Sequence, residues 1–142
     1  MIRKLVFAIL LTLSSSAVLS AEIVGLGGKC LDVAGASAMN GTPIILYSCH
    51  GDSNQQWQIV GDTIRGLGGK CLDVAGASTA DGAKIILWPC HGGNNQRWQL
   101  SGGLIKGAGG KCLDVSGGNT ADGAGVILWS CHGRANQQWT VR

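Results

Sequence analysis

The sequence predicts an all-β protein built from three copies of one unit arranged about a threefold axis. Three observations carry this prediction: the chain repeats itself at a constant interval, each copy holds short runs rich in β-branched residues, and no stretch shows sustained helical periodicity. The chain has 142 residues, of which 24 are glycine and 6 are cysteine, and 13% are charged. This length leaves room for one ordinary domain, and the composition excludes a coiled coil, an acidic tail and a polybasic arm.

The repeat has a period of 41 residues. The segment GLGGKCLDVAGAS occupies 25–37 and again 66–78, and GAGGKCLDVSGGN occupies 107–119. Over windows of 38 residues starting at 23, 64 and 105, the first and second copies share 25 identities, and the second and third share 24. We therefore predict one domain over 22–142, divided into repeats at 23–63, 64–104 and 105–142.

Each repeat contains strand and turn signals. The runs IILYSC, IILWPC and VILWSC are too short for a helix and are bounded by glycine, which is typical of strands. A turn dipeptide at one position of every copy predicts a tight hairpin turn, in which Asp81 and Asp122 are expected to form local Asx turns. A propeller blade has a similar length, but three blades fall below the usual number. The dipeptides are Asn40-Gly41, Asp81-Gly82 and Asp122-Gly123.

Residues 1–21 have the features of a secretory signal peptide. Arg3 and Lys4 precede an apolar run at 5–13, and small residues lead to Ala21. We predict that this segment is removed and that the protein is secreted or periplasmic. The apolar run is too short for a membrane span, so no membrane insertion is expected. Without the signal, nine basic residues face eight acidic ones, and a net charge of +1 gives no electrostatic basis for a nucleic-acid partner.

The cysteines recur with the repeat, and export favours disulfides. The repeat symmetry leaves two simple schemes: each repeat closes on itself, or the second cysteine of each repeat reaches the first cysteine of the next. A bridge within a repeat would close a loop of about 20 residues and stabilise the fold by roughly 3 kcal/mol. The cysteines are Cys30, Cys49, Cys71, Cys90, Cys112 and Cys131.

Catalytic and metal chemistry have little basis in the sequence. Glycoside hydrolysis needs two carboxyl groups close together, whereas the repeated aspartates lie in different repeats and no second repeated acid accompanies them. A Ser–His pairing at Ser48 and His50 is interrupted in the middle repeat by Pro89. The cysteines that precede histidines lack C-x-x-C spacing, and export favours their oxidation over zinc binding. We predict no catalytic residue, no metal and no cofactor.

A set of polar and aromatic residues recurs intact and predicts one carbohydrate-binding site per repeat. A sugar offers a face of C–H bonds and an edge of hydroxyls, so an aromatic plane with a carboxylate and an amide suits it. In the competing interpretation, the aspartate makes a local turn and the aromatic residue is in the core. The sets are Asp32, Tyr47, Asn54, Gln55; Asp73, Trp88, Asn95, Gln96; and Asp114, Trp129, Asn136, Gln137.

Two other residue types recur beside these sets. The histidines are either turn and surface residues or hydrogen-bond partners at the rim of a pocket. The tryptophans that close each repeat are predicted to be core residues, and their indole N–H groups then need buried partners. The histidines are His50, His91 and His132, and the tryptophans are Trp57, Trp98 and Trp139.

The G-x-G-G-K-C-L-D-V opening, the L-[YW]-x-C-H-G middle and the closing Q-x-W of each repeat resemble the ricin B-type lectin family of β-trefoils, over about residues 23–142. The resemblance implies a twelve-stranded trefoil with a disulfide inside each repeat. It also implies that the recurring aspartate, aromatic residue and asparagine contact sugar, that the histidines lie near the sugar's edge, and that the glutamines support the site or the core. Galactose-binding members often have a glutamine where this chain has Ile45, Ile86 and Ile127, and Tyr47 resembles the xylan-binding relatives.

These observations predict a secreted, non-catalytic carbohydrate-binding lectin with up to three sites for galactose- or xylose-type glycans, acting by multivalent binding. Its partners would be glycans or polysaccharides. The alternative is a protein-interaction or protease-inhibitory trefoil module, because fold does not fix function. Such modules usually act through a unique loop, and no long loop interrupts the repeat here. The sequence gives no indication of the oligomeric state.

Overall fold

The computed structural model describes Ala8 and residues 19–142. The predicted signal peptide, 1–21, lies outside the described residues except for Ala8 and residues 19–21. Twelve strands form within 19–142, and they confirm the all-β class. The strands are β1 (Ile23–Val24), β2 (Cys30–Val33), β3 (Ile44–Tyr47), β4 (Gln58–Val60), β5 (Thr63–Arg65), β6 (Cys71–Val74), β7 (Ile85–Trp88), β8 (Gln99–Ser101), β9 (Leu104–Lys106), β10 (Cys112–Val115), β11 (Ala124–Trp129) and β12 (Thr140–Val141).

Helical structure in the described part of the chain consists of three-residue 3₁₀ turns, three in each repeat. None of the helices described there has the length and hydrophobicity to cross a bilayer. The 3₁₀ turns are Leu26–Gly28, Ala34–Ala36, Ser53–Gln55, Leu67–Gly69, Ala75–Ala77, Asn94–Gln96, Ala108–Gly110, Ser116–Gly118 and Ala135–Gln137.

The strands pair in the same antiparallel pattern in every repeat. An inner pair lies within each repeat (β2–β3, β6–β7 and β10–β11), and an outer pair spans each repeat boundary (β4–β5, β8–β9 and β12–β1). The strands β3, β7 and β11 meet about the threefold axis, where Pro43 pairs with Ile86, Lys84 with Ile127 and Gly125 with Ile45. Each repeat therefore contacts both others, and the three repeats close into a trefoil.

The closing tryptophans are buried, which confirms their prediction as core residues. Trp57 is fully buried, and its indole N–H donates to the Leu31 carbonyl at 3.0 Å. A Cβ added to Gly66, in the next repeat, would lie 2.6 Å from the Trp57 ring, so this glycine makes room for the indole. The corresponding groups in the other repeats are Trp98 with Leu72 and Gly107, and Trp139 with Leu113 and Gly25.

The repeated dipeptide forms a tight turn, as predicted, but this turn lies within a longer loop and does not connect β2 directly to β3. The Thr42 amide donates to the Met39 carbonyl at 3.2 Å across Asn40-Gly41. Ten residues, 34–43, separate β2 from β3, and the amide of Gly41 within them donates to the Leu87 carbonyl of the next repeat. The glycine of the dipeptide does adopt the left-handed conformation, with φ 85° at Gly41. Two-residue hairpin turns lie instead at Gly61-Asp62 and Gly102-Gly103, between the outer strands.

The aspartates of this dipeptide join neighbouring repeats, so the expectation of local Asx turns was wrong. The Oδ1 of Asp122 accepts hydrogen bonds from the Ser48 amide at 2.9 Å and hydroxyl at 2.8 Å, and lies 2.8 Å from Lys29 Nζ. Hydrogen bonds from the lysine and then the serine hold the pKa of Asp122 below its ordinary value. The equivalent trio is Asp81, Ser130 and Lys111.

The equivalent contact between repeats 1 and 2 lacks both the aspartate carboxylate and the serine hydroxyl. Its equivalent positions are Asn40 and Pro89, so the carboxylate and the hydroxyl are replaced together. Lys70 there donates to the Ala38 carbonyl. Pro89, which interrupts the Ser–His pattern in the middle repeat, thus occurs where the aspartate that would have accepted from a serine is also replaced, by Asn40.

The disulfides lie inside the repeats, as the family resemblance implied, and the scheme that links successive repeats is excluded. Each bridge joins the start of an inner strand pair to the segment that follows its second strand. The pairs are Cys30–Cys49, Cys71–Cys90 and Cys112–Cys131.

Candidate functional site

Three equivalent surface pockets, one per repeat, have volumes of about 360, 360 and 340 Å³. Each brings together the predicted aspartate, aromatic residue, histidine and asparagine. The first is lined by Asp32, Gly35, Ala36, Ile45, Tyr47, His50, Asp52 and Asn54. The second is lined by Asp73, Gly76, Ala77, Ile86, Trp88, His91 and Asn95. The third is lined by Asp114, Ser116, Gly117, Gly118, Ile127, Trp129, His132 and Asn136.

The aspartate of each pocket is positioned by the inner strand that carries it. In β2, Leu31 and Val33 join the core, and strand alternation puts Asp32 on the opposite face. Asp32 is only 2% exposed, and its Oδ2 accepts a hydrogen bond from Gln55 Nε2 at 2.8 Å. Burial raises the pKa of the Asp32 carboxyl, and this hydrogen bond opposes the rise. The same holds for Asp73 and Asp114.

The glutamine beside each aspartate is fully buried and organises the loop around the pocket. Gln55 Nε2 also donates to the Ser48 carbonyl at 3.0 Å, and its Oε1 accepts from the His50 amide at 2.9 Å. Because its side chain is inaccessible, Gln55 can affect a ligand only through these groups and Asp32. Gln96 and Gln137, the other glutamines of the predicted binding set, make the same contacts and are equally buried.

The histidine of each pocket has a fixed ring orientation. Its Nδ1 accepts a hydrogen bond from the amide two residues later, at 3.1 Å in the case of His50. A neutral ring that accepts at Nδ1 carries its proton on Nε2. This atom lies 3.5 Å from Asp32 Oδ2, so the imidazole N–H faces the buried carboxylate. His91 and His132 repeat the arrangement at 3.6 and 3.5 Å.

The aromatic residue stands exposed at the pocket wall, which argues against the interpretation as core. Tyr47, Trp88 and Trp129 are 40%, 40% and 41% exposed. Each is the last residue of its strand and lies on the face away from the core, and the leucine that precedes it is buried on the other face. An exposed ring beside a concave polar surface offers a plane on which an apolar ligand face can stack.

The asparagine, a turn that was not predicted and an isoleucine complete the pocket. Asn54 is nearly buried, and its Nδ2 donates to the Val33 carbonyl at 3.2 Å, which fixes the amide. Gly35 and Ala36, both at positive φ, form a wall that sequence reasoning missed, although the glycine two positions after CLDV in every repeat was a usable signal. Ile45 lies opposite Asp32 in the strand register and lines the pocket, so an apolar side chain occupies the slot of the family's glutamine.

The first pocket also contains a second acid, Asp52, which sequence reasoning did not single out. Its Oδ2 lies 3.4 Å from His50 Nδ1, and its side chain is 80% exposed. The equivalent positions are Gly93 and Arg134, so this acid is not part of the repeated arrangement. What all three pockets share is a fixed acceptor, an amide, an imidazole and an aromatic plane, a set suited to holding polyhydroxylated ligands.

The model of the ricin-type β-trefoil lectin domain matches residues 20–141. The chain belongs to this family. Lectins of this kind are generally non-catalytic, and membership supports carbohydrate binding. Among curated proteins, the ricin-type lectin chain matches a probable lipoprotein EnvE of Salmonella typhimurium, with 64% identity over 31 residues, which is 22% of this chain and 18% of that protein. The chain thus spans less than a fifth of the length of this relative.

Solved structures similar to this ricin-type lectin confirm the trefoil fold. ThreeFoil, a designed threefold-symmetric protein, is 41% identical with a TM-score of 0.80, over 86% of this chain and 96% of its own. The exo-β-1,3-galactanase 1,3Gal43A of Clostridium thermocellum is 32% identical with a TM-score of 0.79, over 86% of this chain and 29% of its own. A non-toxic type II ribosome-inactivating-protein homologue of Momordica charantia, in complex with α-methyl-D-galactoside, is 28% identical with a TM-score of 0.75, over 87% of this chain and 47% of its own.

Proposed function

We propose that this protein is an exported, non-catalytic lectin that binds galactose- or xylose-type glycans through three pockets at once. The observation that carries the proposal is the recurrence, in three pockets of nearly equal volume, of one buried carboxylate held by a buried glutamine beside an exposed aromatic ring. A structural carboxylate would not need an open pocket, and an aromatic residue with only a packing role would not be left exposed three times.

In this proposal each residue type has a distinct role toward one sugar ring. The aromatic plane stacks on the C–H face, the aspartate accepts hydrogen bonds from two hydroxyls, and the asparagine and the imidazole contact the edge. The glutamine does not touch the sugar but holds the aspartate in place. A shallow site of this kind binds a monosaccharide at about millimolar Kd, or about −4 kcal/mol. Three sites on one branched or polymeric glycan gain a further 10² or more in avidity.

The two sugar classes are proposed from the descriptions of similar structures and from the residues that line the pockets. The Momordica charantia homologue is described in complex with a galactoside, and the Clostridium thermocellum neighbour is named as a galactanase. Against a galactose preference in all pockets, Ile45, Ile86 and Ile127 offer no hydrogen bond to a hydroxyl, and Tyr47 makes the first pocket resemble xylan-binding relatives. Galactosides and xylose polymers are therefore the ligands to compare.

Export is proposed from the three disulfides and from the name of the Salmonella relative, a probable lipoprotein. The strand pairing also bears on the cleavage site. Ala21 exchanges two backbone hydrogen bonds of 2.8 Å with Trp57, and the equivalent Asp62 and Gly103 accept the amide hydrogen bond of the tryptophan in the second and third repeats. We propose that processing retains Ala21, so the domain begins one residue before the predicted boundary at 22. Mass spectrometry of the exported protein should find Ala21 in the mature chain.

Binding is tested on an array of immobilised galactosides, xylan and arabinan. The parent protein should bind, and the triple variant Asp32→Asn, Asp73→Asn, Asp114→Asn should lose binding while keeping its fold, because asparagine can still accept from the glutamine. The variant Asp62→Asn, in an exposed turn, is the matched control and should bind like the parent. Incubation with the bound polysaccharide should release no reducing ends. Equal signals from the parent and the triple variant, or none from either, would contradict the proposal.

A further inference from the structure

The three pockets differ in charge at one position of the rim. This position follows the Cys-His-Gly motif of each repeat and is Asp52, Gly93 and Arg134 in successive repeats. Its backbone is the same in all three, with φ and ψ of −73° and 167°, −69° and 163°, and −70° and 172°. Its amide donates to the histidine Nδ1 at 3.1, 2.9 and 3.0 Å. A side chain at this position therefore leaves the backbone in the same direction in every repeat.

That direction is toward the pocket. A Cβ built on Gly93 would lie 2.7 Å from His91 Cε1 and 3.0 Å from Asn95 Oδ1, and both of these residues line the second pocket. Asp52 itself lines the first pocket. The side chain of His91, beside the glycine, is 45% exposed, against 34% for His50. The position thus lies beside the pocket histidine in every repeat. Of the three residues only Asp52 lines its pocket directly, and the shared backbone conformation places Arg134 next to His132, at the edge of the third pocket.

The charges at this rim are available to a ligand. The Asp52 side chain is 80% exposed. Arg134 is exposed as well, and it takes part in none of the ion pairs formed within residues 19–142, whereas Lys111 of the same repeat is paired with Asp81. The rims are therefore negative, neutral and positive in the order of the repeats.

We propose that the third pocket prefers saccharides that carry a carboxylate, such as a hexuronic acid residue, that the first pocket disfavours them, and that the second does not discriminate. This inference rests on the proposed carbohydrate-binding function and adds a charge to the specificity of each site. A guanidinium matches a carboxylate in geometry as well as charge. An exposed charge pair changes affinity by about twofold to fivefold. Because the first and third pockets shift in opposite directions, their preferences differ by about tenfold.

The test uses single-site proteins, in which the pocket aspartates of the other two repeats are replaced by asparagine. Each protein is titrated by NMR at neutral pH with two matched pairs: methyl galactoside with methyl galacturonide, and methyl xyloside with methyl glucuronide. The galacturonide has a carboxylate where the galactoside has its C6 hydroxymethyl group, and the glucuronide has a carboxylate where the xyloside has a hydrogen on C5. The ratio of the Kd for the neutral sugar to the Kd for the acidic sugar should rise from the first pocket to the third. In about 0.5 M salt the difference should largely disappear, because the charges are exposed.

Variants at the rim assign the effect. Arg134→Gly should bring the ratio of the third pocket to that of the second, and Arg134→Asp should bring it to that of the first. Lys106→Gln removes the same charge from the same repeat outside the three pockets and should leave the ratio unchanged. Equal ratios in all three single-site proteins that bind would overturn the charge inference and leave the lectin proposal standing. A failure of every single-site protein to bind any of the four sugars would overturn both.

Discussion

The buried glutamine beside each pocket aspartate should be more important for stability than its exposed neighbour. Gln55→Ala removes one hydrogen bond to the buried Asp32 carboxylate and three to the backbone, at Ser48, His50 and, at a longer 3.4 Å, Gly51. A bond to a charged group contributes about 1.5–3 kcal/mol and a neutral one about 0.5–1.5 kcal/mol. We therefore expect Gln55→Ala to lower the free energy of unfolding by about 3–6 kcal/mol. This is a large part of the 5–15 kcal/mol typical of a domain.

The chain provides a matched control in the next residue. The side chain of Gln56 donates to the Gly51 carbonyl at 3.2 Å from an exposed position, so Gln56→Ala should cost less than about 1 kcal/mol. Urea denaturation followed by tryptophan fluorescence, with the disulfides intact, measures both variants. A midpoint shift at constant m-value identifies a change in stability.

A double variant distinguishes the hydrogen bond to the carboxylate from the loss of volume. When Asp32→Ala accompanies Gln55→Ala, no carboxylate is left without its donor, so the double variant should be about 1–3 kcal/mol more stable than the two single losses predict together. The reasoning is refuted if Gln55→Ala costs no more than Gln56→Ala, or if the two single losses are simply additive.

The remaining predictions concern the tryptophan contacts, the disulfides and the pocket carboxyls. Gly66→Ala should lower the free energy of unfolding by about 1–3 kcal/mol, because its Cβ would lie 2.6 Å from the Trp57 ring. The control is Gly125→Ala, whose Cβ would have no atom within 4 Å and which should change the free energy of unfolding by less than about 0.5 kcal/mol. Urea denaturation measures both variants. Replacing Cys71 and Cys90 together by alanine should cost about 3 kcal/mol in the same assay, since the bridge spans 19 residues. Sugar affinity, measured by titration across pH, should fall as the pH approaches 3.8 from above, because burial raises the pKa of the pocket aspartates and protonation removes an acceptor.

Each of these predictions would be contradicted by a specific result. Equal effects of the two glycine substitutions would contradict the tight tryptophan contact, and a cysteine-free middle repeat as stable as the parent would contradict the role of its disulfide. An affinity that stays constant until the pH is below 3.8 would exclude a carboxyl of raised pKa as the acceptor. Stability should depend on pH in two opposite ways. Because burial makes ionisation of the pocket aspartates unfavourable in the folded protein, their contribution to stability increases as the pH falls through their raised pKa values. Asp81 and Asp122, whose pKa is lowered, lose their stabilisation as the pH falls below 3.8.

The fold could be predicted from the sequence because the constant spacing of equivalent residues reveals its threefold symmetry. The closing tryptophan, the two cysteines and the pocket aspartate recur every 41 residues, and equivalent residues in equivalent repeats take equivalent positions. The roles that were wrong depend on contacts between repeats. The side chain of Asp122 reaches Ser48, 74 residues away, and no local pattern distinguishes that contact from an Asx turn.

The candidate site was predictable in its residue types, and the burial of its glutamine was not. The two aromatic residues of a repeat were distinguished from their places in the sequence: Trp57 was predicted to be in the core and is buried, and Tyr47 was predicted to be at the site and is exposed. Gln55 is polar yet fully buried, because the Asp32 carboxylate and backbone groups of Ser48 and His50 satisfy both ends of its amide, and these partners converge only in the folded loop. Ala36 was missed because an alanine at positive φ has no signature in the sequence.

The contact between each closing tryptophan and a glycine of the next repeat bears on how the protein unfolds. In a linear array of repeats, the end units can fray while the others stay folded. Here Trp139 packs against Gly25 of the first repeat, so the series of contacts closes into a ring without an end unit. Loss of any one repeat would uncover a tryptophan of one neighbour and a glycine of the other. Three nearly identical segments should therefore melt as a single cooperative unit, with equal calorimetric and van't Hoff enthalpies.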